Sequence, residues 1–487
     1  MKIFYFLLLC SSLSFSQTQI GDDIDGEAAD DRSGYSVSLS SDGSTVAIGA
    51  FLNDGNGTNS GHVRVYENSS GVWTQIGADI DGEASFDQSG MSVSLSSDGS
   101  ILAIGATCGN GCNNPGYVRV YENVSGIWTQ IGDNINGDVP FGASGWSVSL
   151  SLDGSIVAIG APFKDGTGLD SGHVRVYENI SGVWTQIGAD IDGEATIDGS
   201  GYSVSLSSDG NIVAIGAPYN NGNGFNSGHV RVYENISGVW TQIGADIDGG
   251  AAEDYSGYSV SLSSDGSIVV IGAPSYDGNG SASGLVRVYE NISGVWIQIG
   301  ADIEVGAAGD RGGHSVSLSS DGSIIAIGAP NHGGNGVGSG LVRVFKNLSG
   351  VWTQLGTDID GEAAGDRSGS SVGLSSDGSI VAIGAPFNDG NGSNSGHVRV
   401  YDLSSLLSSD SFVISNFSMY PNPATEIVAI TLENDLQLEK VNIYSTLGQL
   451  IKTEKSLQIN VSDLAKGSYF IEVETNHGKA TKTIVVQ

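Results

Sequence analysis

One string, Ser-Gly-x-Ser-Val, returns along the chain with its glycine at 34, 90, 145, 201, 257, 313 and 369, Gly312 replacing the serine in the sixth copy. Successive copies are 56, 55, 56, 56, 56 and 56 residues apart. A period this regular means one supersecondary unit repeated seven times, each copy burying its apolar face against the next. Within a unit, Ser36-Val-Ser-Leu-Ser40 and Thr45-Val-Ala-Ile-Gly49 flank Asp42-Gly43, a pair suited to a two-residue type I′ hairpin. A Gly- and Asn-rich loop leads to His62-Val-Arg-Val-Tyr66, a turn at Asn68-Ser-Ser-Gly71, and Val72-Trp-Thr-Gln-Ile76. With 74 Gly in 487 residues and β-branched residues in short alternating runs, helices are disfavoured and strands favoured. Four antiparallel strands per unit make a propeller blade.

The ends of the array separate a closed ring from an open solenoid. The last repeat stops after Val398-Arg-Val-Tyr401, and Ser408 stands where its Trp would fall. Thr18-Gln-Ile-Gly21 copies Thr74-Gln-Ile-Gly77, with Gln17 in the Trp position. An N-terminal strand that completes the last blade closes the ring and removes both sheet edges. The expected fold is all-β: a seven-bladed β-propeller of four-stranded antiparallel blades over residues 17–401, a linker at 402–416 and a small β-sandwich at 417–487, where Gly thins out and Lys appears.

Alternating strand direction sends the 2–3 and 4–1 connections to one face and the tight 1–2 and 3–4 turns to the other. Both long loops, Asn53–Gly61 and Ala78–Asp87 in the first copy, therefore share a face, where binding groups are expected. The 4–1 loops carry spaced carboxylates: Asp79, Asp81, Glu83 and Asp87, then Asp190, Asp192, Glu194 and Asp198, and Asp358, Asp360, Glu362 and Asp366. They are candidate Ca²⁺ ligands, the bland alternative being a solvated acidic loop. The variable residue of Ser-Gly-x runs Tyr35, Met91, Trp146, Tyr202, Tyr258, His314, Ser370. Tyr35, Trp146, Tyr202 and Tyr258 are candidates for stacking on a ligand, or for packing between blades, since position 35 shares parity with Val37 and Leu39. Arg64 and its copies read as an ion-pairing or stacking element, and His62, His173, His229 and His397 as part of the repeat. Cys108 and Cys112 share one loop and are candidates for a local disulfide.

Residues 1–16 have the plan of a secretory signal peptide, with cleavage expected near Ser16/Gln17, and no later run reaches the ~18 apolar residues of a membrane helix. A formal charge of −35 excludes nucleic acid as a partner. No singular nucleophile, base and acid stand together in the sequence, so a non-enzymatic protein is expected.

Two resemblances add to this. Ser-Gly-Tyr-Ser-Val at 200–204, Ile-Gly-Ala-Pro at 215–218, Gly-His-Val-Arg-Val-Tyr at 228–233 and Trp240 make the unit similar to the FG-GAP repeat of integrin α-chain propellers and their bacterial relatives. That family holds calcium between the first and second strands. Here the connection is Ser-Asp-Gly-Ser, too short to wrap a cation, so those sites do not carry over. Tyr420-Pro-Asn-Pro-Ala424, Val441–Gln449, Leu464–Val473 and Lys482–Gln487 resemble the C-terminal sorting domain of the Bacteroidetes type IX secretion system. The resemblance implies the type IX machinery as a partner, and release outside the cell or attachment to its surface. The expectation is a secreted or surface-displayed, adhesion-like propeller that binds protein or glycan through its long-loop face. A polysaccharide-acting hydrolase or lyase with its site in the central funnel, and a structural surface-layer protein, are the alternatives.

Overall fold

The computed structural model describes residues 17–107, 114–407, 413, 416–433, 436–445, 449–476 and 478–487. The proposed signal peptide and the Cys108–Cys112 pair lie outside them. Two compact units emerge, Thr18–Asp402 and the residues from Leu403 onward.

In the first unit the chain makes seven antiparallel sheets of one design. Blade 1 is typical, with strands Ser36–Leu39, Thr45–Ala50, His62–Ser69 and Val72–Gln75 running from the axis outward. The ring closes as the sequence indicates. Thr18 and Gln19 pair with Asp402 and Tyr401, giving the seventh blade (Ser371–Leu374, Ile380–Ala385, His397–Asp402) its outer strand. A belt of serine hydroxyls donating to the next blade's glycine carbonyl runs from Ser36 to Gly90 (2.8 Å) round to Ser371 to Gly34 (2.8 Å).

The core lies between blades. Val174 and Val176 of blade 3 pack with Val204, Leu206, Val213 and Ile215 of blade 4, and Trp240 covers the outer edge. The Trp240 indole donates to the Ile187 carbonyl of the preceding blade at 2.8 Å, so the repeated Trp is an interblade latch. Six of the 4–1 loops also return two residues to the third strand of their own blade, as Ile80–Asp81 does against His62–Ser69, and in blade 5 Ile303 makes a single bridge to Val286. The buried isoleucine of Asp-Ile-Asp drives this.

The turns correct one expectation. At Asp42-Gly43 only the glycine has positive φ, and the Asp42 carboxylate accepts from Ser40 and Ser44, which holds a longer turn in place of type I′. The type I′ signature falls instead at Ser70-Gly71, where both residues have positive φ between the paired Ser69 and Val72.

The second unit holds a three-stranded sheet (Phe417–Tyr420, Ile427–Leu432, Gln458–Asn460) and a four-stranded one (Leu450–Glu454, Leu438–Ser445, Gly467–Thr475, Gly478–Val486). Val428, Ile430, Val441, Ile443, Ile471 and Val473 are among its buried core residues.

Candidate functional site

Both long connections emerge on one face and are hydrogen bonded to each other, as Gln88 N to Asn59 O (3.1 Å) and Ser89 N to Ser60 O (2.9 Å) show. The loops therefore form a rigid rim. At its centre the variable residues of Ser-Gly-x stand at the entry to the innermost strands.

There the rings meet. Trp146, Tyr202, Tyr258 and His314, on four consecutive blades, have successive centroid separations of 5.3, 4.8 and 5.0 Å with tilted planes. A second tier backs them, Phe163 on Trp146 at 5.3 Å and Tyr219 on Tyr202 at 5.9 Å, both edge-on. The rings pack against one another between blades yet keep part of their surface open, for all four are only half-buried. Burial pushes the Tyr35 hydroxyl up to about 12, with Tyr258 adding to the effect, and raises that of Tyr202 further. Tyr35 packs its ring on Phe51 at 4.3 Å.

Opposite the rings is a group that sequence reasoning missed. Three residues before the variable position, blades 6, 7 and 1 carry Arg311, Arg367 and Arg32, where the others carry Gln88, Ala143, Gly199 and Tyr255. The Arg32 and Arg367 guanidinium carbons sit 4.5 and 4.6 Å from the centroid of the Phe387 ring. Arg311 and Arg367 both help burial hold the His314 imidazole down at about 4. Of the ten arginines in the chain, the other seven are the strand copies of Arg64, each bonded to a carboxylate or a backbone carbonyl of a 4–1 loop. No ion pair is formed by Arg32, Arg311 or Arg367 among the described residues, and the buried Arg32 Nε has no hydrogen-bond partner. In a chain of charge −35, three guanidiniums without an ion pair on adjacent blades polarise the mouth, their blades also carrying His314 and Tyr35 and lying across from the Trp146, Tyr202 and Tyr258 rings. The signal was available in the sequence as a break in the repeat.

The carboxylates do not gather as four-residue sets, because each 4–1 loop passes from one blade to the next. Asp79 and Asp81 stay beside their own blade, where Asp79 accepts from Gln75 Nε2 (2.7 Å) and Asp81 is in backbone register with His62. Glu83 reaches Asn134 (2.9 Å) and Asp87 is buried, accepting from Ala84 N and Tyr117 Oη (2.7 and 2.8 Å). In the second set Asp190 and Asp192 stand together with His173, whereas Glu194 turns to Arg231 (3.5 Å) and Asp198 caps Ala195 N (2.8 Å). In the third, Asp358 is bound bidentately by Arg343 (both 2.7 Å), the Asp360 carbonyl accepts from Arg399, Glu362 lies 3.7 Å from Arg399, and Asp366 caps Ala363 N (2.9 Å).

Burial beside arginine holds His62, His173, His229 and His397 down at about 4, so they are neutral near pH 7. An unfolded chain takes up these protons near pH 6.5 while the folded chain does not, so stability falls as pH drops below that value. Denaturant unfolding at pH 7.5 and 5.5, a window in which most carboxylates stay ionised, should show a lower midpoint at 5.5. Equal midpoints would contradict neutral burial.

A closed ring of repeated blades with all its long loops on one face, followed by a smaller all-β unit, defines a β-propeller protein. The FG-GAP repeat matches at residues 24–66, 246–289 and 357–401, and the secretion system C-terminal sorting domain at 418–487. The chain is thus a type IX-secreted FG-GAP β-propeller, directed to the cell surface or the extracellular space. No helix among the described residues is long and apolar enough to cross a membrane. The chain is 35% identical over 88 residues to ulvan lyase NLR42 of Nonlabens ulvanivorans, a match spanning 17% of this chain and 16% of that protein. A Bacteroides uniformis protein assigned as a 6-phosphogluconolactonase is 12% identical, with a TM-score of 0.48 over 67% of this chain and 85% of that one. A periplasmic gluconolactonase of Pseudomonas aeruginosa is 18% identical, with a TM-score of 0.47 over 68% and 85%.

Proposed function

We propose that this protein is a non-enzymatic binder of an anionic glycan, held at the mouth of the ring on the long-loop face. The observation that carries the reading is the polarised mouth, in which half-buried rings on blades 3 to 5 face unpaired Arg311, Arg367 and Arg32 on blades 6, 7 and 1. Sugar rings present flat C–H surfaces that lie against aromatic faces, and a carboxylate or sulfate ester matches the planar donor fork of arginine. A neutral glycan would use only half of this surface. The short likeness to an ulvan lyase covers too little of that protein to bring its activity here.

Affinity electrophoresis of the full chain in gels containing uronate-bearing, sulfated or neutral polysaccharides tests the proposal. R311A/R367A should retain the parent's melting temperature, since Ala143 occupies the equivalent position in blade 3. It should lose retardation by anionic polymers by tenfold or more in affinity, each charge-assisted contact being worth roughly 1.5–3 kcal/mol. Retardation that survives the double substitution, or that is equal in neutral and anionic gels, would refute the anionic mouth. Steady release of shortened chains from any of these polymers would refute the non-enzymatic reading.

A further inference from the structure

We propose that the long-loop rim carries three binding sites for a divalent transition-metal ion of the Zn²⁺ class, one each in blades 1, 4 and 7. Each consists of the histidine that opens the third strand, an aspartate of the loop leaving that blade and a glutamate of the loop entering it. The sets are His62–Asp79–Glu27, His229–Asp246–Glu194 and His397–Asp23–Glu362, each with its potential ligand atoms within 4.8 Å of one another.

The geometry suits a cation better than a hydrogen bond. The His62 Nδ1 is 3.7 Å from Asp79 Oδ2 and 3.9 Å from Glu27 Oε2, and the Asp distances are 3.8 Å at His229 and 3.5 Å at His397. These exceed the ~2.7–3.2 Å of a good hydrogen bond. Donors about 2.0–2.2 Å from a tetrahedral zinc stand roughly 3.2–3.6 Å apart, so a small closure of the three groups supplies three of its four positions and leaves the fourth for water. The imidazoles are 1–2% exposed, while the carboxylates are partly open to solvent at the rim.

The chain contains its own comparison, because the seven blades vary independently at these three positions. Every blade with the histidine keeps both acids, the blade 3 set being His173, Asp190 and Asp138. Every blade without it has lost one acid: Tyr117 accompanies Asn134 in blade 2, Leu285 accompanies Gly250 in blade 5, and Leu341 accompanies Gly306 in blade 6. A purely structural histidine would not require two acids from two different loops.

Blade 3 shows what the cluster demands. There Lys164 replaces the asparagine found at 53, 220 and 388 in the three complete blades. Its ammonium lies 3.4 Å from Asp192 Oδ1 and 3.7 Å from Asp190 Oδ2, while the buried His173 Nδ1, with no hydrogen-bond partner, lies 3.2 Å from Asp190 Oδ2. A built-in cation fills the position. Arginine separates the complete blades from blades 3, 5 and 6, though not from blade 2, where Asn134 replaces the aspartate and Arg119 also turns to a backbone carbonyl, that of Asp81. In blades 3, 5 and 6 the strand arginine binds its own aspartate directly, Asp190, Asp302 and Asp358. In blades 1, 4 and 7 it turns to a backbone carbonyl, of Asp25, Asp192 and Asp360, and leaves the aspartate facing the histidine. In those blades the glutamate has one oxygen 3.5–3.7 Å from the arginine, and its carboxylate stands beside the aspartate and histidine of the set. Burial, with the nearby aspartate carboxylates, raises Glu27, Glu194 and Glu362 above the usual range, a repulsion that a bound cation would relieve.

The full chain, freed of metal by chelation, would be titrated with Zn²⁺ by calorimetry and assayed for bound metal after dialysis. The comparison is H62L/H229L/H397L, whose leucine is native at positions 285 and 341. The parent should bind three more equivalents than the variant, and Zn²⁺ should raise the Tm of the parent alone. K164N, which restores the asparagine of the complete blades, should gain one equivalent over the parent, a readout independent of whether the triple variant folds. Equal zinc content in the parent and in both variants would overturn the proposal, as would a Tm raised by Ca²⁺ and unmoved by Zn²⁺.

Discussion

Deleting Thr18–Ile24 is expected to make the chain aggregate. The segment supplies the outer strand of blade 7, pairing Thr18 and Gln19 with Asp402 and Tyr401 and Ile24 with Val398. Its Ile20 carbonyl also accepts from the Trp73 indole at 2.8 Å, so blade 1 loses its latch at the same time. Ile24 is 5% exposed, and removing such a side chain alone costs about 2–5 kcal/mol, a large share of the ~5–15 kcal/mol that holds a typical domain together. Beyond that cost, His397–Asp402 becomes a bare sheet edge that pairs with any strand available. Size-exclusion chromatography with light scattering should find oligomers, and the melt should broaden and fall. A truncated chain that stays monomeric with the parent's Tm would contradict closure by the N-terminal strand.

The second large effect is expected from one methyl group. In every blade the glycine of Ile-Gly-Ala lies where the next blade's backbone passes closest. A Cβ on Gly216 would stand 2.0 Å from the Gly257 carbonyl oxygen and 2.3 Å from Ser203 Oγ. That hydroxyl donates to the same carbonyl at 2.8 Å, so neither atom can retreat without parting two blades. G216A should destabilise by about 3 kcal/mol or more, the upper end of overpacking costs. Gly238, in an exposed turn, has φ of +85° and nothing within 4 Å of its would-be Cβ. G238A should cost only about 1–2 kcal/mol, from backbone strain alone. Equal shifts in denaturant midpoint would show that interblade approach is not what fixes the Ile-Gly-Ala glycine.

The sequence made the ring legible because its evidence is periodic. The 56-residue spacing, the alternating Val-x-Leu and Val-x-Val strands and the misplaced Thr18–Gly21 copy each reappear in the structure as blade, interblade core and closing strand. Local turn chemistry was less legible. Asp42-Gly43 has a hairpin dipeptide, yet the Asp42 carboxylate is drawn to Ser40 and Ser44 and the turn lengthens. The site was legible only in half. The rings at 146, 202 and 258 stand out as variation at a fixed place in the repeat. Arg32, Arg311 and Arg367 hide in loops that differ between copies, and only the ring brings blades 6, 7 and 1 side by side. The Asp and Glu sets misled for a related reason. They are continuous in sequence, but each loop serves two blades, so Asp79 meets Glu27 from the previous loop and not Glu83 from its own.

Hydrogen exchange read by mass spectrometry, with and without a uronate-bearing or sulfated oligosaccharide, tests the binding account most directly. Protection is expected at the amides of residues 199–202, 255–258, 311–314 and 367–370, which frame the mouth, and not at the tight turns of the opposite face. Protection confined to the outer strands or to those tight turns, with the mouth unchanged at saturating ligand, would contradict it.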